Sequence, residues 1–325
     1  MYNLKFNKNL LTEKEAAIIT ATPEGLAIFN EDVLAARKAI KVAVHDGMFH
    51  ADELLAVTLL KEALGGVEVE ILRTRNPQRL AEVDLRVDVG EGLLDHHGKQ
   101  AEDHVAACTK VFSLLMQTEI AKGHKPEADS AELAYLDDVV TRVAAWDCGD
   151  NTEEHPFPWV HTFSECARMV GDEDIYINKC INMMHDIMDI SVTVLQKKAR
   201  SARLAESQLA EQATEKVVVF NESARWADVK QMMHATKAQC IFYVSPESED
   251  DWRILCAADP EKEFSPFSSR LLIPEQFRGL RGEELSAKSG IEGGIFCHAA
   301  GFIAGFKSCK AAVAFAKLAL EKAAE

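Results

Sequence analysis

The chain has 325 residues, 47% of them hydrophobic and 27% charged, and carries a formal net charge of −16. That length exceeds the ~250–300 residues at which a single core stops growing, so two domains are expected, and the apolar fraction excludes a disordered chain. The acidic balance excludes a broad basic surface for gripping long duplex nucleic acid; a site for polyanions has to be local, and bound cations are one way to supply its charge.

Residues 1–38 read as an N-terminal extension: Met1 to Leu11 lacks the apolar core of a secretory signal, and acidic residues arrive early at Glu13 and Glu15. Ile40–Val44 is a short β-branched run ending at His45, followed by a loop and the helical pattern Leu54, Leu55, Val57, Leu59, Leu60. Val67–Leu72 and Leu85–Val89 are further strands of a buried parallel sheet, with Asn76-Pro77 marking a turn between them. Helices are expected over Val105–Ala121, Ser130–Ala145 and Asp174 to about Glu215, the last long, charged and free of Gly and Pro. Strands follow at Val217–Phe220, Gln239–Val244, Arg253–Ala257 and Gly293–His298, and an amphipathic helix closes the chain at Ser308–Ala323. The expected fold class is α/β: a parallel-sheet domain over residues 1–190, a linker helix over 191–216 and a smaller α+β domain over 217–325. No run approaches the ~20 apolar residues of a membrane span, and the eight cysteines contain no C-x-x-C pair, which fits reduced thiols in a cytoplasmic protein.

Ligand-type side chains gather at strand ends, where open α/β sheets place their sites. In His45-Asp46-Gly47-Met48-Phe49-His50-Ala51-Asp52-Glu53 they crowd a strand-to-helix loop, although Asp52 is equally explained as a helix cap with Glu53 in the first turn. Asp88, at the end of Leu85-Arg86-Val87-Asp88-Val89-Gly90, is a carboxylate that is costly to bury unpaired, or else a turn residue beside glycine. Asp95-His96-His97 can supply a metal ligand, a partner that orients it and a phosphate donor. Asp147, within Ala145-Trp146-Asp147-Cys148-Gly149, reads alone as a helix-end residue. Arg73 and Arg75 alternate along a strand and could offer guanidinium groups to a phosphate, or simply be solvated. Trp146 could stack on a base or belong to the core, and the helix Lys197–Glu215 reads as a solvated face.

In this order the motifs resemble those of the DHH phosphoesterases: a His/Asp cluster, a strand-end Asp, an Asp-His-His triplet and a final Asp. Within that superfamily the chain is similar to the melanocyte proliferating gene family, through Arg73-Thr74-Arg75, Phe277-Arg-Gly-Leu-Arg-Gly-Glu-Glu-Leu285, Ser289-Gly-Ile and Phe296-Cys-His-Ala-Ala-Gly-Phe-Ile303. The resemblance implies a 3′-to-5′ exonuclease acting on RNA or short single-stranded oligonucleotides. It implies two manganese or magnesium ions, with His45, His50 and Asp88 on one, and Asp52, Asp88, Asp147 and either His96 or His97 on the other. Asp88 would bridge them, a metal-bound hydroxide would be the nucleophile, and Asp95 would orient its histidine neighbours. His298, Gly301 and Gly305 correspond to a substrate-binding glycine and histidine motif. The chain departs from the family in the short bridge Gly90–Leu94, in Cys148 where the family carries Asn, and in Ala304-Gly305-Phe306. The alternatives are a small-molecule nucleotide phosphatase or pyrophosphatase and a non-catalytic nucleotide-binding protein. No membrane partner is expected, a homodimer is compatible with the sequence, and relatives are associated with nucleus and mitochondria.

Overall fold

A computed structural model describes residues 6–21, 26–97, 104–124, 130–150, 152–263, 265 and 268–323. They form two compact units, Met1–Thr193 and Val194–Glu325.

In the first unit, a 3₁₀ turn at Lys8–Leu10 leads to α1 (Glu13–Ile18), β1 (Ile19–Ala21), β2 (Ala27–Phe29) and α2 (Glu31–Ala35). There follow β3 (Ala39–Val44), α3 (Ala51–Ala63), β4 (Glu68–Arg73), α4 (Pro77–Leu80), β5 (Leu85–Arg86), α5 (Ala107–Ala121), α6 (Ala131–Asp147) and α7 (Trp159–Val170). The helix α8 (Glu173–Glu211) begins in this unit. β3 is the central strand of a three-stranded parallel sheet in the order β4-β3-β5, and its Ile40, Val42, Ala43 and Val44 are fully buried. β-branched residues suit a strand covered on both faces. α3 is buried from Ala51 to Leu60 and packs on α5 and α6; a helix apolar nearly all round has to be a core helix.

The described part of the N-terminal extension, residues 6–21 and 26–38, joins this core. Ile18, Ile19, Ala27 and Phe29 pack in the same cluster as Val42 and Leu54, and β1 and β2 pair as an antiparallel hairpin. Glu15, 2% exposed, accepts from Arg86 N–H and Nε at 3.0 Å and from its Nη2 at 2.7 Å, tying α1 to β5. The strand expected over Leu85–Val89 stops at Arg86, with Val87 continuing only as an isolated bridge to Leu94. The Asn76-Pro77 turn is the start of a helical turn: Asn76 caps α4 by accepting from Gln78 N–H at 2.9 Å, and Pro77 occupies a position that needs no donor.

In the second unit are the rest of α8, β6 (Val217–Val219), α9 (Trp226–Ala235), β7 (Phe242–Ser248), β8 (Asp251–Cys256), α10 (Gly282–Ser289), β9 (Gly294–Cys297), β10 (Ile303–Phe306) and α11 (Cys309–Ala323). The sheet order is β6-β7-β8-β10-β9, parallel between β6 and β7 and antiparallel elsewhere. Phe242, Val244, Ile254, Phe306 and Phe315 form its core. Among the described residues no helix is long and apolar enough to cross a membrane, and all eight cysteines are unpaired.

Candidate metal centre

β3 delivers the first ligand-type side chain. His45 follows Val44, and the chain then turns into α3, whose N-cap is His50. Phe49 N–H donates to Ser164 Oγ, and His50 N–H to Glu53 Oε1, both at 2.9 Å, which fixes the turn. His45 is 3% exposed; its Nε2 stands 3.2 Å from Glu53 Oε1 and 3.4 Å from Asp88 Oδ2. Burial works to lower its pKa, but the Glu53 carboxylate, followed by the Asp46 carbonyl and Asp88, outweighs it and raises it to about 9.

Asp52 does not cap its own helix. Its buried carboxylate reaches the start of α5 and accepts from Ala107 N–H at 3.1 Å and Cys108 N–H at 2.7 Å. The first amides of a helix lack internal partners and form the positive end of its dipole, so they hold a carboxylate well. Burial first, and then the charges of Asp88 and Asp147, push the Asp52 carboxyl up from its ordinary range.

Asp88 sits at φ 56°, in the left-handed region, which Asp tolerates better than most side chains. Gly90 and Glu91 are left-handed too, so the short bridge Gly90–Leu94 folds tightly back. Asp88 N–H donates to the Leu94 carbonyl at 3.1 Å, and Glu91 N–H to Asp95 Oδ2 at 2.6 Å. This tight return brings the triplet beside Asp88: Nδ1 of His96 and Nδ1 of His97 each lie 3.1 Å from Asp88 Oδ1. Asp95 Oδ1 accepts from His97 N–H at 2.9 Å and lies 3.0 Å from its Nδ1, so Asp95 positions His97. His96 Nε2 lies 3.1 Å from Asp147 Oδ2 on the last residue of α6, and its Nδ1 lies 3.6 Å from Asp52 Oδ2.

The two carboxylates Asp52 and Asp88 are thus perturbed in opposite directions. Burial works to raise Asp88, but the imidazoles of His96 and His97 outweigh it and hold the carboxyl well below its usual range. For His96 burial acts downward, and Asp147, Asp88 and Asp52 raise it to about 11; His97 is raised chiefly by Asp88.

Three sets of ligand atoms lie within 4.8 Å of one another: Asp88, Asp95, His96 and His97; His45, His50 and Glu53; and Asp52, His96 and Asp147. Asp88 touches His45 with one oxygen and His96 and His97 with the other, so it stands between the sets. Glu53 Oε2, Asp88 Oδ1 and His96 Nδ1 are buried and lack a hydrogen-bond partner; the last two are close but misaligned, so their pairing is one of charge alone. Buried polar atoms without hydrogen bonds are costly, and buried charges are normally paired or bind metal. Carboxylate oxygens and imidazoles clustered in this way fit a divalent cation. Glu53, which sequence reasoning left as a first-turn residue, belongs to the cluster. The signal available for it was an acidic residue at the head of an otherwise apolar helix.

The remaining candidates are placed differently. β4 ends at Arg73, so Arg73 and Arg75 do not share one strand. Arg73 donates to Glu173 and to the Gly47 carbonyl, and Arg75 to the side chain and carbonyl of Asp46, so neither guanidinium stands free. His298, in the second unit, is exposed in the β9–β10 turn; Ala300 N–H donates to its Nδ1 at 3.1 Å, which leaves the ring proton on Nε2. Gly301 and Gly305 have packing reasons for being glycine. A Cβ on Gly301, at φ 73°, would fall 2.5 Å from Arg278 Nε, and one on Gly305 3.0 Å from Phe296 Cε1.

Fold and site define an α/β chain whose central parallel sheet gathers acidic and imidazole groups that could hold metal ions. Residues 41–121 and 135–320 match the family model described as MYG1_exonuc, an uncharacterised protein family (UPF0160), and the chain belongs to that family, the melanocyte proliferating gene family. It is similar to the MYG1 exonuclease of Homo sapiens, with 28% identity over 86% of this chain and 85% of that one. It is also similar to MYG1 protein YER156C of Saccharomyces cerevisiae, with 28% identity over 88% of this chain and 97% of that one. A crystal structure of an uncharacterized protein from Helicobacter pylori G27 aligns at 10% identity with a TM-score of 0.24, over 67% of this chain and 85% of that one.

Proposed function

We propose that the chain is a divalent-metal-dependent phosphodiester hydrolase, working as a 3′-to-5′ exonuclease on RNA or short single-stranded oligonucleotides with two manganese or magnesium ions. Asp88 with His45, His50 and Glu53 would hold one ion, and Asp88 with Asp52, His96 and Asp147 the other. The observation that carries this is Asp88: a buried carboxylate flanked by three imidazoles, with an oxygen that lacks a hydrogen-bond partner. When bound, such ions supply charge to the phosphodiester oxygens and acidify a water.

The chain's own residues do the positioning. Backbone amides of α5 fix Asp52, Glu53 fixes the His45–His50 turn, and Asp95 fixes His97. The His97 side chain is 61% exposed and held by Asp95, which suits it to meet a phosphate oxygen. His298, with a proton on Nε2, is assigned to the phosphate or 3′ end of the substrate. Human, bovine, mouse and rat relatives carry the name exonuclease, which supports the same class of chemistry.

Incubation with Mn²⁺ and 5′-labelled RNA, DNA and dinucleotides should shorten RNA from its 3′ end, and EDTA should stop it. Hydrolysis of nucleotides or pyrophosphate with oligonucleotides left intact would replace the exonuclease by a small-molecule phosphatase. Loss of all hydrolysis would leave a metal- or nucleotide-binding protein.

A further inference from the structure

Within the first unit, a cavity of about 600 Å³ opens beside the metal centre, with His50, Asp52 and Asp147 among its walls. Its size lies within the roughly 300–1,000 Å³ typical of small-ligand pockets. The other walls are of another character: Phe49, Trp146 and Phe157 line it with aromatic surface, alongside His155 and His161. Phe49 and Phe157 are 1% and 2% exposed, so their rings are rigidly seated. Trp146 is fixed by its Nε1 donating to the Glu153 carbonyl at 2.7 Å and by an edge contact with His155, with centroids 5.3 Å apart. The cavity therefore combines carboxylates and imidazoles with held aromatic rings, and Trp146 stands next in the chain to Asp147.

We infer that this cavity is the nucleobase pocket for the terminal nucleotide of the substrate, with Trp146 as the stacking platform and His155 Nε2–H as a hydrogen-bond donor to the base. Phe157 N–H donates to His155 Nδ1 at 2.8 Å, so that nitrogen carries no proton and the ring proton sits on Nε2. Burial, with help from Arg142, lowers the His155 pKa, in contrast to the raised histidines of the metal centre. A neutral imidazole keeps one fixed donor at physiological pH and adds no charge to repel the cations expected next to Asp147. Aromatic stacking is tolerant of base identity, since each base has a π-face, so the pocket takes all four nucleotides and admits a single strand end. The phosphate side of this inference rests on the hydrolase proposal; the base side does not.

The test uses the full-length protein in Mg²⁺, titrated with adenosine 5′-monophosphate or ribose 5-phosphate at millimolar concentrations and followed by tryptophan fluorescence. The nucleotide should quench the wild type, ribose 5-phosphate should not, and Trp146→Leu should lose the response while its melting temperature and Mn²⁺ binding stay unchanged. His155→Ala should weaken nucleotide binding, and His155→Gln, which keeps a donor, should restore part of it. In turnover, Trp146→Leu should raise KM for an adenosine dinucleotide about tenfold or more while leaving KM for the matching dinucleotide with an abasic end unchanged. Equal binding of the nucleotide and the sugar phosphate, no binding of either, or an unaltered Trp146→Leu would overturn the pocket. Base-dependent binding with no phosphodiester hydrolysis under any metal would instead sink the hydrolase proposal and leave the pocket standing.

Discussion

Metal binding at this centre should be strongly proton-linked. In the metal-free protein His45 and His96 are held protonated, with pKa values raised to about 9 and about 11, whereas a metal takes only the neutral ring. Each ion pair in the cluster is therefore broken by metal and a proton is expelled from each ring. Between pH 7 and 8.5, one proton expelled per ion makes the apparent Mn²⁺ affinity of each position rise about tenfold per pH unit, and the rise at the His45 position flattens once pH passes the His45 value. The Asp52 carboxyl, also pushed up, adds release in the same direction. The sign for folding is opposite: the stability these two histidines give the metal-free chain is fully present below their unfolded pKa of about 6.5 and is lost as pH rises through their folded values. Calorimetric titration with Mn²⁺ in two buffers of different ionisation enthalpy measures the proton count directly. An affinity that stays flat across this window, or proton uptake on binding, would refute the reasoning.

Asp88→Asn preserves the side-chain size and the tolerance for a left-handed backbone but removes the charge facing His45, His96 and His97, so the melting temperature of the metal-free protein should fall, and hydrolysis measured well below that temperature should fall by more than about 100-fold. Glu53→Gln should weaken Mn²⁺ binding by about 10–100-fold in a metal titration, because Glu53 both faces His45 and fixes the His50 turn. Glu15→Ala strands Arg86 in a largely buried position and should lower stability by about 3–5 kcal/mol in urea unfolding, with the unfolding slope unchanged. Gly301→Ala should lower the melting temperature without changing Mn²⁺ binding, because its Cβ would meet Arg278 and the backbone at φ 73° disfavours a side chain.

The strand and helix around His45 and Asp52 were legible because one is a compact β-branched run and the other a long apolar stretch, with a polar loop between them; β3 and α3 fall within a few residues of the expected limits. The convergence of Asp52, Asp88, His96 and Asp147 was suggested by motif order, which carries no distance information. What the sequence hid depends on contacts remote in the chain. Glu53 looks like an ordinary first-turn acid until His45 is placed against it, and Asp52 resembles a cap although the helix it holds begins 55 residues later. The N-terminal hairpin has strands of only three residues each, too short for a period to register, yet the buried Glu15–Arg86 pair makes the segment part of the core. The expected alternation of Arg73 and Arg75 along one strand does not hold, because the strand ends between them and a period-two argument applies only inside a strand.

The central claim is that Asp88 stands between two cation positions. Crystals grown with Mn²⁺ and measured at the manganese absorption edge should give two anomalous peaks, one among Asp88, His45, His50 and Glu53, the other among Asp88, Asp52, His96 and Asp147. A map with no peak at Asp88, or with manganese bound only at other acidic residues, would contradict it.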